Sequence, residues 1–575
     1  MRLQIIKSKN AASFYVVKST YENKKHSSKI VEKLGTEEQL RKTLNGEDPI
    51  EWAKKYVEEL NKKEKEQTQT LLIPFEQSKL INKDEQHSFN CGYLFLQQIY
   101  NELNLPKLCK EISQKYKFQY DLDNILSRLV YSRIIYPSSK KATCELSKRF
   151  IEQPKFDLHH IYRGLEVLCK ESDFIQSSLY KNSLSVVKRN TSVIYYDCTN
   201  YFFEIEQEDG LKQYGLSKEH RPNPIVQMGL FMDSDGIPIS FCINKGNQNE
   251  QTTLQPLEQK LLSDFELSKF VVCTDAGLSS VANRKFNNVK NRAFITTQSI
   301  KKLKSHIKGW ALDEKGWHIS ENSKTFNLSE IDENEDIVYY KEQWFKEDGL
   351  EQKLVVTYSL KYKNYQSKIR NSQIERAKKA IETNKAGLKK NNQNDYKRFI
   401  EKSNVTKDGE LAEKELYSID NKTIENEEMY DGYYAVCTNL EDKTAEIIKI
   451  NKRRWEIEEC FRIMKSEFKA RPVYLSRDDR IEAHFLTCFI SLIVYRLLEK
   501  KLENKFTCEK IIAGLRDMNL FEVSGVGFIP TYTRNDLTDG LHEKFGFRTD
   551  FEIIPKETMK NIFKSTKKQK TLRTF

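Results

Sequence analysis

Asp197 closes the apolar run VIYYD, and Asp275 closes FVVCTD just before Gly277 in a turn. In α/β sheets, ligands and catalytic groups gather at the C-terminal ends of strands, so two such aspartates are placed to lie side by side. A single aspartate there is ordinarily a turn or cap residue, and the pair gains meaning only with a third carboxylate. The stretch NKRRWEIEECFRIMK, residues 451–465, supplies one. On a helix at roughly 100° per residue, Ile457, Phe461, Met464 and Phe468 form one apolar stripe, with Arg454, Glu458 and Lys465 along its border. Glu458 is therefore expected at the edge of the core. An Arg–Glu pair at four-residue spacing is also common on solvated faces, where it contributes a few tenths of a kcal/mol, so this stretch alone leaves both readings open.

The elements that must position these groups follow from periodicity. Residues 1 to about 70 read as a small β element with a turn at Asn10, then a charged helix dissolving into a linker at KKEKEQTQT. From about 85 to 190 apolar residues recur at three and four, as in FNCGYLFLQQIYNELNL and LDNILSRLVYSRIIY, which predicts a helical domain. From Ser192 the period shortens. SVIYYDCTNYFFEI, NPIVQMGLFM and IPISFCIN read as strands, the last two flanking the turn DSDG; TTLQPLEQKL is helical, FVVCTDAG a strand, VANRKFNNVKN a helix and RAFITTQ a strand. Strand, strand, strand, helix, strand, helix, strand is the order expected of a ribonuclease-H-like α/β domain. Short strands and a Lys- and Asn-rich helix between about 300 and 430 read as an insertion, after which MYDGYYAVCTN resumes the strand pattern.

The spacing Arg454-x3-Glu458-x6-Lys465 resembles the Tyr-x2-Arg-x3-Glu-x6-Lys signature of DDE transposases of bacterial insertion sequences, in the IS-four superfamily. Asp197 in YYDCTNYFF and Asp275 in TDAGLSS look like that family's first and second catalytic aspartates. HRPNPIVQMGL, KGNQNEQTT and RPVYLSRDDRIEAHFLTCFISLIVYRLLE are similar to its long-chain, IS-sixteen-thirty-four-like branch. The resemblance covers most of the chain from about 190 to 500. Asn451 stands where the signature has tyrosine.

The resemblance implies a ribonuclease-H-like core, residues 191–300 and 432–505, interrupted by a mainly β insertion domain over 301–431. A helical DNA-end-binding domain over 71–190, a small element over 1–70 and a basic C-terminal region over 506–575 complete the expected organisation. It implies Asp197, Asp275 and Glu458 as catalytic ligands of two Mg²⁺ ions, which Mn²⁺ can replace, and Asn451, Arg454 and Lys465 as DNA contacts. In-line phosphodiester displacement suits two such ions about 3.5–4 Å apart, and hard Mg²⁺ takes oxygen ligands. The implied partners are double-stranded DNA, both terminal inverted repeats and target, and a second copy in a synaptic homodimer. A catalytically inactive DNA-binding derivative and another ribonuclease-H-fold nuclease are the competing readings.

Composition agrees without deciding. Lys and Arg number 95 against 83 Asp and Glu, a net +12 that suits a polyanionic partner. Eleven cysteines contain no Cys-x-x-Cys pair, which speaks against a zinc ribbon and fits a reducing cytoplasm, which the resemblance implies is bacterial. The longest apolar run, Phe485–Tyr495, is too short to span a bilayer and is expected to be a buried helix. KETMKNIFKSTKKQKTLRTF reads as a solvated basic tail, and the Trp310, Trp317 and Trp344 rings as core packing within the insertion.

Overall fold

The structure, a computed structural model, describes every residue except 8–11, 23–24, 45–46, 68–72, 74, 321, 332–335, 384–393, 406–410 and 569–575. It divides into two units, Met1–Glu85 and Gln86–Phe575. In the first, β1 (Arg2–Lys7), β2 (Ala12–Glu22) and β3 (Lys25–Thr36) form an antiparallel sheet. Helix α1 (Glu37–Thr43) starts at a capping box between Thr36 and Gln39, and α2 (Pro49–Gln67) follows. Phe14, Leu40 and Ala53 pack together as a small core. The turn expected at Asn10 lies outside the described residues. The linker expected at KKEKEQ is helix as far as Gln67, because Lys, Glu and Gln are themselves good helix formers.

The second unit begins with a short strand, β4 (Ser88–Asn90), and six helices: α3 (Tyr93–Glu102), α4 (Leu105–Tyr116), α5 (Leu122–Ile135), α6 (Lys140–Leu146), α7 (Leu158–Lys170) and α8 (Ser172–Ser183). Then come β5 (Val193–Phe202), β6 (Ile225–Asp233), β7 (Pro238–Lys245), α9 (Leu254–Asp264), β8 (Phe270–Thr274), α10 (Val281–Phe286) and β9 (Arg292–Thr297), in the order read from the sequence. β6 runs antiparallel to both β5 and β7, while β8 is parallel to β5 and to β9. β5 and β6 are buried along their whole length, which is why their apolar runs hardly alternate.

The next segment holds α11 (Ser305–Leu312), β10 (Trp317–Ile319), β11 (Asn322–Phe326), β12 (Val338–Glu347), β13 (Leu350–Ser359), α12 (Leu360–Glu382), β14 (Ile400–Val405), β15 (Leu411–Ile419), α13 (Asn421–Glu428) and β16 (Tyr433–Thr438). Most of these strands extend the same sheet. β16 pairs with β9 on one side and β13 on the other, giving ten strands in the order β11-β10-β12-β13-β16-β9-β8-β5-β6-β7. The hairpin β14–β15 stands apart. Trp317 is fully buried, whereas Trp344 is partly exposed with Lys353 over its ring.

Beyond the sheet, α14 (Thr444–Lys452) and α15 (Trp455–Arg462) lead to α16 (Asp478–Lys501), whose apolar run is buried against α3, α5, α7 and β7. The chain closes with α17 (Cys508–Asp517), β17 (Asn519–Val523), β18 (Gly527–Pro530), α18 (Asp536–Phe545), β19 (Ile554–Pro555) and α19 (Lys556–Thr566), and β17 pairs back onto β4. The expected solvated tail is thus folded through Thr566. Met559, Ile562 and Thr566 recur at three and four and face the core of this unit.

The β6–β7 turn fixes α15. Gly236 has φ +75°, and a Cβ there would meet Glu456 Oε2 at 2.1 Å and Arg496 Nη2 at 2.2 Å. Its carbonyl accepts from Arg496 Nε at 2.8 Å. DSDG thus turns the hairpin and lets α15 and α16 approach the sheet end.

Candidate active site

Asp197 lies inside β5 rather than at its end, since the strand runs on to Phe202. Thr199, Tyr201 and Phe202 beyond Asp197 are β-prone too, and this stretch pairs with β6, where Asp197 is opposite Leu230. The parallel partner stops sooner. β5 and β8 pair as Val193 with Val271, Ile194 with Val272 and Tyr195 with Cys273. Two further steps of that register put Asp197 opposite Asp275, where β8 has just ended. Adjacent strands lie about 4.8 Å apart, so the two aspartates are neighbours by register.

Asp275 caps the short 3-10 turn Ala276–Leu278, its Oδ1 accepting from Leu278 N at 3.1 Å. A Cβ at Gly277 would stand 3.3 Å from that oxygen, so glycine keeps the carboxylate clear. Asp197 is buried, and its Oδ1 accepts from Cys198 N at 2.7 Å. Burial, with the like charge of Asp275 beside it, pushes the Asp197 carboxyl up to about 7. Such a carboxyl calls for a counter-charge when ionised.

Glu458 comes from α15. The helix read over 451–468 is in fact broken: α14 ends at Lys452, α15 starts at Trp455, and Ile463–Glu467 form a π-turn. Such π-turns frequently mark functional sites. Ile457, Phe461, Met464 and Phe468 are all buried, as the stripe requires. Glu458 is more than half exposed, and Arg454 Nη2 lies 3.6 Å from its Oε1. Arg454 joins the set. Burial works against its charge, but the Tyr434 phenol, Asp197, Asp275 and Glu458 outweigh that and hold its affinity for the proton above normal. One guanidinium therefore lies within electrostatic reach of all three carboxylates.

Asn451 is buried. Its Nδ2 donates to the Tyr434 hydroxyl at 3.1 Å, and Thr297 Oγ1 lies 2.7 Å from the same hydroxyl. Lys465, in the π-turn, has its Nζ 3.3 Å from Glu219 and sits over the Tyr201 ring at 5.4 Å. Burial, then Lys218 nearby, brings the Lys465 ammonium down to about 8. The structure therefore sets Asp197 and Asp275 side by side, places Arg454 within electrostatic reach of both and beside Glu458, sets Lys465 near Asp197, and buries Asn451 against Tyr434; the oxygens of Asp197, Asp275 and Glu458 do not all come within 4.8 Å of one another.

A family model described as the transposase DDE domain matches residues 202–494, just over half of the chain. This chain belongs to the DDE transposase family. The matched span contains Asp275, Glu458, Arg454 and Lys465 and begins five residues after Asp197. No curated protein matches the chain. Among solved structures, a cryo-EM structure of a piggyBac transposase synaptic complex with hairpin DNA aligns at 9% identity and TM-score 0.35, covering 83% of this chain and 84% of that one.

The donor set of this transposase fits a divalent cation. Two adjacent aspartates, one of them buried, and a solvent-facing glutamate offer only oxygen atoms, the preference of a hard ion. Three residues that the motif did not name complete the surroundings. Lys218 Nζ donates to the Cys198 carbonyl and pairs with Glu250 Oε1 at 3.2 Å. Burial opposes the Lys218 charge, yet Asp197 and Glu250 together raise its proton affinity. Tyr434 comes from β16, close to Arg454. The sequence held a signal for the first two: Lys218 lies two residues before His220, the start of HRPNPIVQMGL, and Glu250 lies in KGNQNEQTT. Nothing in the spacing pointed to Tyr434.

Proposed function

We propose that this transposase mobilises a bacterial insertion sequence of the IS-four superfamily, in its IS-sixteen-thirty-four-like branch. It binds the terminal inverted repeats, cuts the ends and joins them to target DNA as a synaptic homodimer. The observation that carries the reading is the side-by-side register of Asp197 and Asp275, with Arg454 within electrostatic reach of both and of Glu458. The sheet order β7-β6-β5-β8-β9, with the first three strands antiparallel and the last two parallel, supports a ribonuclease-H-like core. The strands between β9 and β16 support an insertion that widens that core.

Asp197, Asp275 and Glu458 would hold two Mg²⁺ ions, which when bound activate the attacking oxygen and stabilise the leaving one. The chain's own groups do the rest. Asp197 must be ionised to act as a ligand, and Lys218 and Arg454 favour that state. The Arg454 fork suits a phosphate oxygen pair, and Lys465 serves as a point charge on the same backbone. Asn451 acts through Tyr434, whose phenol it holds toward Arg454.

Asp275→Ala is expected to abolish Mg²⁺-dependent cleavage and strand transfer on a duplex taken from the DNA flanking the gene, with gel-shift affinity retained. Retained cleavage by this variant would remove the assignment.

A further inference from the structure

The loop after β5 carries a carboxylate where a transposase should carry a phosphate. Ser217–Arg221 is a tight turn in which Ser217 Oγ accepts from Glu219 N at 3.3 Å and Arg221 N at 3.2 Å, and His220 has φ +55°. β5 clamps this turn. Asn200 Nδ2 donates to the Leu216 carbonyl at 3.0 Å, and its Oδ1 accepts from Lys218 N at 3.3 Å. The same strand supplies two rings beyond Asp197. Tyr201 lies under Lys465, and two guanidiniums lie near the Phe202 ring, Arg221 at 4.2 Å and Arg471 at 5.8 Å from its centre.

Into this cationic set points Glu219, paired with Lys465 Nζ at 3.3 Å and with Arg471 Nη1. Lys465, Arg471 and Glu219 are each only partly exposed. Lys218, Arg221, Lys465 and Arg471 give four positive charges, against Glu219, Glu250 and the nearby Asp197 as acidic groups. Planar guanidiniums held on a ring, with an ammonium alongside, suit a phosphodiester better than a single carboxylate.

We propose that Arg221, Lys465 and Arg471, beside the Tyr201 and Phe202 rings, form a subsite for a DNA backbone phosphate next to the scissile one, and that Glu219 fills it until DNA displaces it. This rests on the transposase reading for the identity of the polyanion. Glu219 thereby lowers the affinity for DNA that does not seat fully, because each incoming phosphate must first break the Lys465 and Arg471 pairs. Productive DNA overcomes that cost through the remaining contacts.

The test is fluorescence anisotropy of the full chain with a labelled duplex in EDTA, titrated with salt, so that cleavage does not enter. Glu219→Gln is expected to bind about three- to tenfold more tightly than wild type, whereas Asp264→Asn, which removes one exposed negative charge elsewhere, leaves affinity unchanged. Arg471→Gln is expected to bind several-fold more weakly, with a log–log salt slope shallower by about 1. Glu219→Gln binding no more tightly than Asp264→Asn overturns the subsite. If Glu219→Gln fails to fold by its melting curve, Arg471→Gln decides: unchanged affinity and slope overturn the proposal, and the stated losses support it. Cleavage of the same duplex by wild type in Mg²⁺ reads the transposase proposal separately. Tighter binding by Glu219→Gln without any cleavage keeps the subsite and loses the catalytic reading, and cleavage with no effect of Glu219→Gln does the reverse.

Discussion

Tyr434 is the residue on which the site departs most from its signature. A tyrosine at position 451 would offer a phenol from the helix turn that carries Arg454; here Asn451 is buried, and β16 delivers a phenol toward the same arginine. Thr297 and Asn451 fix the hydroxyl, so it is preorganised rather than free to rotate. Tyr434→Phe keeps the ring and removes one hydrogen-bonding hydroxyl, a change of about 1 kcal/mol. Strand transfer in Mg²⁺ is expected to fall about three- to tenfold with the melting temperature little changed, and an unchanged transfer rate assigns the phenol to packing alone. At this scale the aspartates were legible because a carboxylate following an apolar run stands out, although only Asp275 lies past the end of its strand. Tyr434 was not, because its role depends on a strand pairing between β9 and β16 that spans the whole intervening segment.

Among the elements, α9 shows how the flank of the sheet is tied down. Glu258, fully buried, accepts from Asn287 Nδ2 at 2.9 Å, and Arg292 Nε stands 3.7 Å from its other oxygen, joining α9 to the end of α10 and the start of β9. Burial outweighs both partners and pushes its carboxyl up to about 7. The folded-state value lies above the unfolded one, so the neutral acid is favoured in the fold and stability is lost as pH rises from about 4.5 through about 7. Glu258→Gln removes that loss, on the order of 3 kcal/mol at full ionisation. Thermal melts at acid and alkaline pH are expected to show the variant gaining on wild type as pH rises; a constant gap between the two would refute the burial argument. Glu258 sits on a helix that sequence reading found by its apolar spacing, but its burial depends on the neighbours that α10 and β9 bring. The same limit applies to 451–468. Its apolar stripe was readable, whereas the break at Arg453 and the π-turn at Ile463–Glu467 carry no signal in that spacing.

Across the whole molecule, the segment between β9 and β16 widens one sheet to ten strands, so Asp275 and Glu458 stay on the same scaffold although 182 residues separate them in sequence (458 − 276). The order of strands and helices from Ser192 to Thr297 was legible because short β-branched and aromatic runs bounded by turn residues alternate there with helical spacing. The joining of the later strands to that sheet was not, since register between distant strands leaves no local trace. Three carboxylates, Asp197, Asp275 and Glu458, meet cations from three segments, Lys218, Arg454 and Lys465. Such an arrangement should take up a divalent ion. The direct measurement is a Mn²⁺ titration of the full chain followed by electron paramagnetic resonance at about pH 8, above the Asp197 value of about 7. Wild type is expected to deplete the free Mn²⁺ signal, with Asp197→Asn and Asp275→Asn each losing that binding and Glu458→Gln weakening it. Equal Mn²⁺ binding by wild type and all three variants would contradict a shared metal centre at Asp197, Asp275 and Glu458.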